Sequence, residues 1–282
     1  MTSTVGIHAV PLTARHVEVP GGPLAVAEVA AAEPHGLPAL FVPGYTGSKE
    51  DFALIAHPVA DSGHPFLAVD LRGQHESPGP DDPAAYTVDA LATDLRELVL
   101  ALGLPAFHLV GHSFGGLVCR AAVLAGPDIV ASLTLMSSGP SGLRGPRVDR
   151  MQLMEPMLQA VGMEGLFDAM SALDPRRTPD DPLTLFLRRR WLSSSVAGLR
   201  GMGLAVTEER DRVDELRDLG IPLFVVYGEN DDAWTPGVQR SMAERLGVAH
   251  VEIPAAAHSP AAEAPEATAA ALREFWATVE SG

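Results

Sequence analysis

Short apolar runs alternate with amphipathic segments along most of this chain. The five central runs (LFV, FLAVD, FHLV, LTLM and LFVVY) are continuously apolar, which is typical of strands buried on both faces of a parallel sheet. The pattern predicts strands at Arg15–Val19, Leu24–Ala30, Ala39–Val42, Phe66–Asp70, Phe107–Val110, Ser132–Met136, Leu223–Tyr227 and His250–Ile253. Three- and four-residue apolar spacing predicts helices at Thr87–Leu102, Phe114–Leu124, Pro236–Leu246 and Ala261–Val279. We therefore expect an α/β fold with a mostly parallel central sheet flanked by helices.

The segment 140–217 interrupts this alternation. It shows helical periodicity with no convincing strand, and breakers at Asp174-Pro175 and Asp180–Pro182 divide it into several short helices. Its twelve arginines and twelve acidic residues cancel, so the rest of the chain carries the whole net charge of −16. The sequence predicts a helical insertion at 140–217 inside a core formed by residues 1–139 and 218–282.

Composition limits the class of protein and its partners. An excess of 36 acids over 20 bases disfavours nucleic acids and anionic membranes as partners. Cys119 is the only cysteine, so no internal disulfide can form, and it is expected to fill space in the core. The first residues show no basic region followed by an apolar one, so no secretion signal is expected, and no apolar run approaches the ~20 residues of a membrane span. A soluble, cytoplasmic protein is expected, and its oligomeric state is left open.

The stretch LVGHSFGG, residues 109–116, places a serine between two glycines where a strand meets a helix. This is the setting of a nucleophile elbow, in which a sharp turn presents Ser113 at the end of the sheet. The following helix would direct its first amides, beginning with Phe114, toward developing negative charge. Upstream, VPGYTG carries a strand into a turn that could supply a second amide, that of Tyr45.

Two further strands end beside groups that could activate this serine. LFVVYGENDD ends in Asp231 and Asp232, and VEIPAAAH ends in His258. A serine hydroxyl becomes a nucleophile when an imidazole accepts its proton and a carboxylate orients that imidazole. Each of the three groups follows a strand, so a parallel sheet would gather them at one edge.

These motifs resemble those of the α/β-hydrolase fold superfamily over most of residues 15–139 and 218–282. The resemblance rests on GHSFGG, VPGYTG, DLRGQHES (70–77), the G-x-x-D turn and the final loop histidine. It implies a helical cap at 140–217. The usual His-Gly of the oxyanion turn is Pro43-Gly44 here, and the usual R-G-H-G reads RGQH (72–75), to which no catalytic role is assigned.

The sequence thus predicts a cofactor-independent, metal-free serine hydrolase acting on a small, apolar ester-type molecule. Ser113 is the expected nucleophile, His258 the base and Asp231 its orienting acid, with the Tyr45 and Phe114 amides as the oxyanion hole. Asp232 remains an alternative acid, because spacing from Gly228 selects Asp231 and spacing from Pro236 selects Asp232. Cleavage of carbon–carbon bonds, lactone opening, perhydrolysis and non-catalytic ligand binding remain alternative functions.

The remaining candidates are expected to have other roles. Haloalkane dehalogenases and most epoxide hydrolases of this fold use aspartate where this chain has Ser113, and the HGGPG turn typical of proline iminopeptidases is absent, so these activities are disfavoured. His112 is expected to be structural, His250 to lie in a strand, and the run Arg188–Arg190 to form a solvated face.

Overall fold

The computed structural model describes residues 12–128, 130–174 and 177–282, and its sheet has eight strands. The expectations for residues 1–11 and for Pro175 lie outside the described residues. The strands are β1 (Ala14–Val17), β2 (Leu24–Val29), β3 (Ala39–Val42), β4 (Phe66–Val69), β5 (Phe107–His112), β6 (Val130–Met136), β7 (Leu223–Gly228) and β8 (His250–Ile253). Their order is β1-β2-β4-β3-β5-β6-β7-β8. β2 pairs antiparallel with β1 and β4, and all other pairs are parallel. The predicted mostly parallel sheet is confirmed.

Burial along the strands follows their sequence pattern. Every residue of β3, β4, β5 and β7 is buried, as their continuous apolar runs predict for strands covered on both faces. The two edge strands differ, because most positions of β1 and β8 are exposed or half-buried. Ser113 and Asp231 therefore follow central strands, β5 and β7, whereas His258 follows the edge strand β8.

Helices cover both faces of the sheet. The outer helices are α1 (Ala53–Ala60), α2 (Val88–Leu102), α3 (Phe114–Ala125), α9 (Pro236–Leu246), α10 (Pro260–Glu263) and α11 (Pro265–Glu280). Apolar residues of α2, α3 and α9 pack in the core on one face, and those of α1 and α11 pack on the other. Thr87 caps α2 by accepting a hydrogen bond from the Ala90 amide.

Two helix expectations need correction. The helix predicted at Ala261–Val279 is two helices, because Ala264 is non-helical (φ −144°, ψ 63°) and Pro265 starts the second. Proline has no amide to donate, so the preceding helix cannot continue through it. Helix α1 was not predicted from the sequence, because it is short, apolar almost throughout and contains Pro58.

The segment between β6 and β7 is helical, as expected. It forms α4 (Pro146–Gln152), α5 (Met154–Ser171), α6 (Pro182–Ser193), α7 (Val196–Glu208) and α8 (Val213–Asp218). Asp181 and Ser195 cap α6 and α7 with side-chain oxygens, and α5 is broken at Gly162 (φ 69°). Leu166, Phe167 and Trp191 belong to a small apolar cluster of this segment. The bounds 140–217 of this helical insertion stay a prediction. No helix within the described ranges is both long enough and apolar enough to cross a bilayer.

Candidate active site

Ser113 occupies a strained turn between β5 and α3. Its backbone has φ 55° and ψ −121°, a region that residues with a side chain rarely adopt. The flanking glycines make the turn possible: a Cβ on Gly111 would lie 2.6 Å from the Gly115 carbonyl oxygen, and one on Gly115 would lie 2.4 Å from that of Val42. The strand–turn–helix context expected of a nucleophile elbow is therefore present at this serine.

His258 connects Ser113 to Asp231. Its Nε2 lies 3.0 Å from Ser113 Oγ, and its Nδ1 lies 2.9 Å from Asp231 Oδ1. Because the carboxylate accepts from Nδ1–H, the lone pair of Nε2 points to the serine hydroxyl, which donates to it. The close approach of the two supporting loops requires Gly228, where a Cβ would lie 2.0 Å from the Ala257 carbonyl oxygen.

Asp231 is held by two groups besides His258. Its Oδ1 also accepts from the Ala233 amide at 2.9 Å, and its Oδ2 accepts from Gln239 Nε2 at 2.8 Å. Gln239 is fully buried and also donates to the Trp234 carbonyl oxygen. Gln239 was not predicted as a site residue, although its position in the first turn of α9, after the acid turn, was a usable signal.

Asp232 has a different environment from Asp231. Its half-exposed side chain accepts from Arg147 at 2.6 Å and from Arg150 at 3.2 Å, and both arginines lie on α4. Burial raises the pKa of Asp232, but the nearby positive charges, of which Arg147 contributes most, together outweigh that effect and hold the pKa below its usual value. The structure therefore places Asp232 in an ion pair with α4 rather than against His258.

The oxyanion turn lies against the serine. A Cβ on Gly44 would lie 3.1 Å from Ser113 Cβ, and among the described residues nothing accepts a hydrogen bond from the following Tyr45 amide. Phe114 is the first residue of α3, where amides have no acceptor within the helix. The structure thus brings the expected amide donors close to Ser113.

Gln74 fixes this turn from behind, a role that the sequence did not reveal. Its buried amide donates to the carbonyl oxygens of Gly44 at 2.7 Å and Tyr45 at 3.2 Å. Its Oε1 accepts from the Leu71 amide at 3.0 Å. The departure from R-G-H-G at this position therefore supplies a neutral side chain that holds the turn at Gly44 and Tyr45, the turn predicted to provide an oxyanion amide.

His112 supports the loop that carries His258. Its Nε2 donates to the His258 carbonyl oxygen at 2.7 Å, which is the structural role expected for it. Burial, together with the nearby His258, lowers the pKa of His112 to about 3. This imidazole is therefore neutral near pH 7.

Two cavities meet beside the serine. The smaller, about 100 Å³, is lined by Ser113 and His258 and by Arg147, Met151 and Arg190 from the helical segment. A larger one of about 1040 Å³ lies between α4, α5, α7 and residues 83–89. Tyr45 and Met151 line both cavities, so the space at the serine and the larger space adjoin at these two residues.

The expectation of a solvated Arg188–Arg190 face holds only in part. Arg188 is partly exposed and pairs with Glu164, and the Arg189 guanidinium lies 5.6 Å from the Phe186 ring centroid. The Arg190 side chain is only 12% exposed, lines the smaller cavity and binds Asp51 at 2.6 Å. Periodicity did not reveal this, because Asp51 lies far away in sequence.

Two groups of side chains in the described ranges have metal-ligand chemistry. Glu50, His75 and Glu76 form one, but Lys49 already binds both carboxylates, at 2.9 Å and 2.7 Å. Burial lowers the pKa of Lys49, but Asp70 and the other carboxylates outweigh that effect and raise it. The second group, formed by His64, His108 and Glu280, lies at the amino-terminal ends of the parallel strands, away from Ser113.

The fold, the strained serine and its histidine–aspartate partners define a protein of the α/β-hydrolase class. Residues 39–271 match the profile described as "Alpha/beta hydrolase family", and the chain belongs to this family. It is a hydrolase, and the resemblance noted in the sequence is confirmed.

Individual relatives span several activities. A proline iminopeptidase of Lactobacillus delbrueckii subsp. bulgaricus is 28% identical, over 77% of this chain and 81% of the relative. Lipase 3 of a Moraxella species is 26% identical, over 85% and 77% of the two chains. A thermophilic esterase from Thermogutta terrifontis superposes with a TM-score of 0.76 at 25% identity, covering 95% of this chain and 99% of that one.

Proposed function

We propose that this protein hydrolyses carboxylic esters through an acyl-enzyme formed on Ser113. The observation that carries the proposal is the unbroken hydrogen-bonded path from Ser113 Oγ to His258 (3.0 Å) and on to Asp231 (2.9 Å). The lipase and the esterase among the relatives act, by their names, on esters. The proline iminopeptidase, by its name, does not, and the HGGPG turn typical of such enzymes is absent from this chain, which has VPGYTG at the oxyanion turn.

In the proposed acylation, Ser113 Oγ bonds to the ester carbonyl carbon while His258 Nε2 takes the hydroxyl proton. The carbonyl electrons move to oxygen, and the Tyr45 and Phe114 amides stabilise that oxyanion. When the tetrahedral intermediate collapses, the C–O bond to the alcohol breaks and His258 returns the proton to the leaving oxygen. Asp231 keeps the imidazole in the required tautomer and stabilises its charged form.

Deacylation repeats these steps with water in place of the serine. Water gives a proton to His258 and bonds to the acyl carbon, and the carboxylic acid leaves as Ser113 regains its proton. The protein supplies every group that these steps need, so the proposed reaction requires no cofactor or metal.

The lining of the two cavities favours a neutral ester with one bulky group. Arg147 and Arg190 lie near the serine, but each already binds a carboxylate, so neither is left to attract an anionic substrate. The space of about 100 Å³ at Ser113 accommodates only a small group. We therefore infer that the larger, apolar part of the substrate extends past Met151, whose flexible side chain can move, into the space of about 1040 Å³.

The decisive experiment compares the wild type with Ser113→Ala on p-nitrophenyl esters, lactones and vinylogous diketones. The proposal expects ester turnover with a burst of p-nitrophenol, labelling by a fluorophosphonate, and loss of both in Ser113→Ala. Turnover of only lactones or diketones would assign the same residues to a different reaction. A folded protein that neither turns over esters nor takes the label would be a ligand-binding protein instead.

A further inference from the structure

Three side chains with metal-ligating atoms converge at the amino-terminal ends of the parallel strands, the ends opposite those near Ser113. His64 lies just before β4, His108 near the start of β5, and Glu280 at the end of α11. Their ligand atoms all lie within 4.8 Å of one another. Both histidines are at least nine-tenths buried, at 6% and 0% exposure, whereas the Glu280 side chain is 25% exposed.

The hydrogen bonds of His64 determine which of its nitrogens is protonated. Ser62 Oγ donates its only proton to the Val59 carbonyl oxygen at 2.7 Å, so it accepts from His64 Nδ1–H at 3.1 Å. In the neutral ring, Nε2 then carries a lone pair. That buried nitrogen has no hydrogen-bond partner among the residues described, and it lies 3.5 Å from Glu280 Oε2.

The carboxylate of Glu280 is satisfied on one side only. Its Oε1 accepts from the Leu37 amide at 2.7 Å and from His108 Nε2 at 3.1 Å, while Oε2 faces the His64 lone pair. Glu280 is also the last residue of α11, where the helix dipole favours a cation over an anion.

His108 can join this arrangement without releasing a proton. Its Nδ1 lies 2.8 Å from Ser132 Oγ, and a hydroxyl there can donate or accept. If the ring proton shifts from Nε2 to Nδ1, the Ser132 hydroxyl oxygen accepts a hydrogen bond from Nδ1–H, and Nε2 offers its lone pair instead. Trp276 stacks on the ring at 5.0 Å between centroids and shields it from water.

We propose that His64, His108 and Glu280 form a binding site for a divalent transition-metal ion of the Zn²⁺ type. Two imidazole nitrogens and one carboxylate suit zinc or a neighbouring metal, whereas Mg²⁺ and Ca²⁺ prefer oxygen ligands. A water molecule would complete four-coordination from the exposed side of Glu280. Ser62 and Ser132 act as the hydrogen-bonding partners that orient the two rings.

The placement of the three ligands explains why the sequence did not predict this site. The ligands come from three distant parts of the chain, so no sequence spacing could reveal them. Because the metal would tie the end of α11 to the sheet, its effect is expected on stability rather than on chemistry at Ser113.

The test titrates Zn²⁺ into the full-length, untagged, EDTA-treated protein by calorimetry, with thermal unfolding in parallel. We expect one bound equivalent, a higher Tm with Zn²⁺, and quenching of Trp276 fluorescence when Co²⁺ replaces Zn²⁺. His64→Gln and Glu280→Gln should each weaken binding at least ~100-fold, and Ser62→Ala about 10- to 100-fold. Exposed His57→Gln and Glu274→Gln, the latter also on α11, are matched controls that should bind as the wild type does.

The proposal is overturned if the wild type binds no saturable equivalent of Zn²⁺, or if Glu280→Gln binds it as tightly as Glu274→Gln does. Glu280 is partly exposed, so this comparison remains valid even if His64→Gln does not fold.

Discussion

Substitution of the adjacent acids Asp231 and Asp232, one at a time, tests the proposed active site. Asp231→Asn replaces a buried carboxylate that accepts hydrogen bonds from three donors: His258, Ala233 and Gln239. An asparagine has only one accepting oxygen. Its amide nitrogen must therefore face either His258 and Ala233 or Gln239. Gln239 cannot simply rotate to accept, because its amide nitrogen also donates to the Trp234 carbonyl oxygen at 2.6 Å.

Each orientation of the new side chain has a cost. If its amide faces His258, that ring must take the tautomer that cannot accept the serine proton, and the bond to the Ala233 amide is lost. If its amide faces Gln239, two donors meet in a buried site, at a cost of about 1–3 kcal/mol. We expect kcat to fall by up to ~10⁴-fold, as the equivalent change does in a serine protease, or about 5 kcal/mol in the barrier.

Asp232→Asn is the matched control. It removes one charge from a half-exposed pair with Arg147 and Arg150, an interaction worth about 0–1 kcal/mol. The loss in kcat should be only a few-fold. Both variants are assayed for kcat on the best p-nitrophenyl ester, with circular dichroism to verify folding. The opposite ranking would make Asp232 the catalytic acid, and two mild losses would place the acid on another strand.

Three further measurements test the roles of the serine, the oxyanion turn and His112. Ser113→Ala should stay folded and lose at least ~10⁴-fold in kcat; retention of a tenth of the activity would place the nucleophile elsewhere. Gln74→Leu should lower kcat ~10- to 100-fold with little change in KM, less than direct loss of an oxyanion donor; unchanged kcat would remove its positioning role. In the folded protein, the pKa of His112 is about 3, below its usual 6.5. Between these two pH values the unfolded chain therefore binds more protons than the folded one, and the free energy of unfolding falls as pH drops from about 6.5 toward 3. In urea titrations, His112→Gln should show a shallower fall over that window, and an equal fall would contradict the assignment.

Substrate preference can be measured separately. Values of kcat/KM should rise from acetyl to hexanoyl esters, with each added methylene that finds apolar surface contributing up to ~0.8 kcal/mol. Met151→Ala should steepen this rise by opening the way to the larger cavity. A flat or falling series would argue against extension of the substrate past Met151.

The sequence predicted the sheet because its central strands are continuously apolar, and that pattern has few alternatives. It missed α1 and the break at Ala264 because a short apolar segment and an alanine-rich one carry little periodicity. Ser113 and His258 could be selected because each follows a strand, and parallel strands bring their ends to one edge.

Residues that support the site from behind were harder to find. Gln74 and Gln239 contact the oxyanion turn and Asp231 through side-chain amides, and nothing in a single sequence separates such glutamines from solvated ones. Arg190 was misassigned for a related reason. Its partner Asp51 belongs to another part of the chain, and only the packing of α6 against the core brings them together.

The positions of charge around the two acids explain how neighbouring aspartates can differ in function. Asp231 is supported by Gln239, a neutral donor, so its negative charge is not shared with a cation and remains available to the imidazolium of His258. Had an arginine stood at that position, it would have competed with His258 for the carboxylate. The arginines of α4 bind Asp232 instead, and they reduce its competition for the proton that His258 carries. The helical segment thus contributes to the proposed chemistry by neutralising Asp232, the acid that has no part in it. In a variant lacking both Arg147 and Arg150, the unpaired charge of Asp232 should compete with Asp231 for the proton of His258.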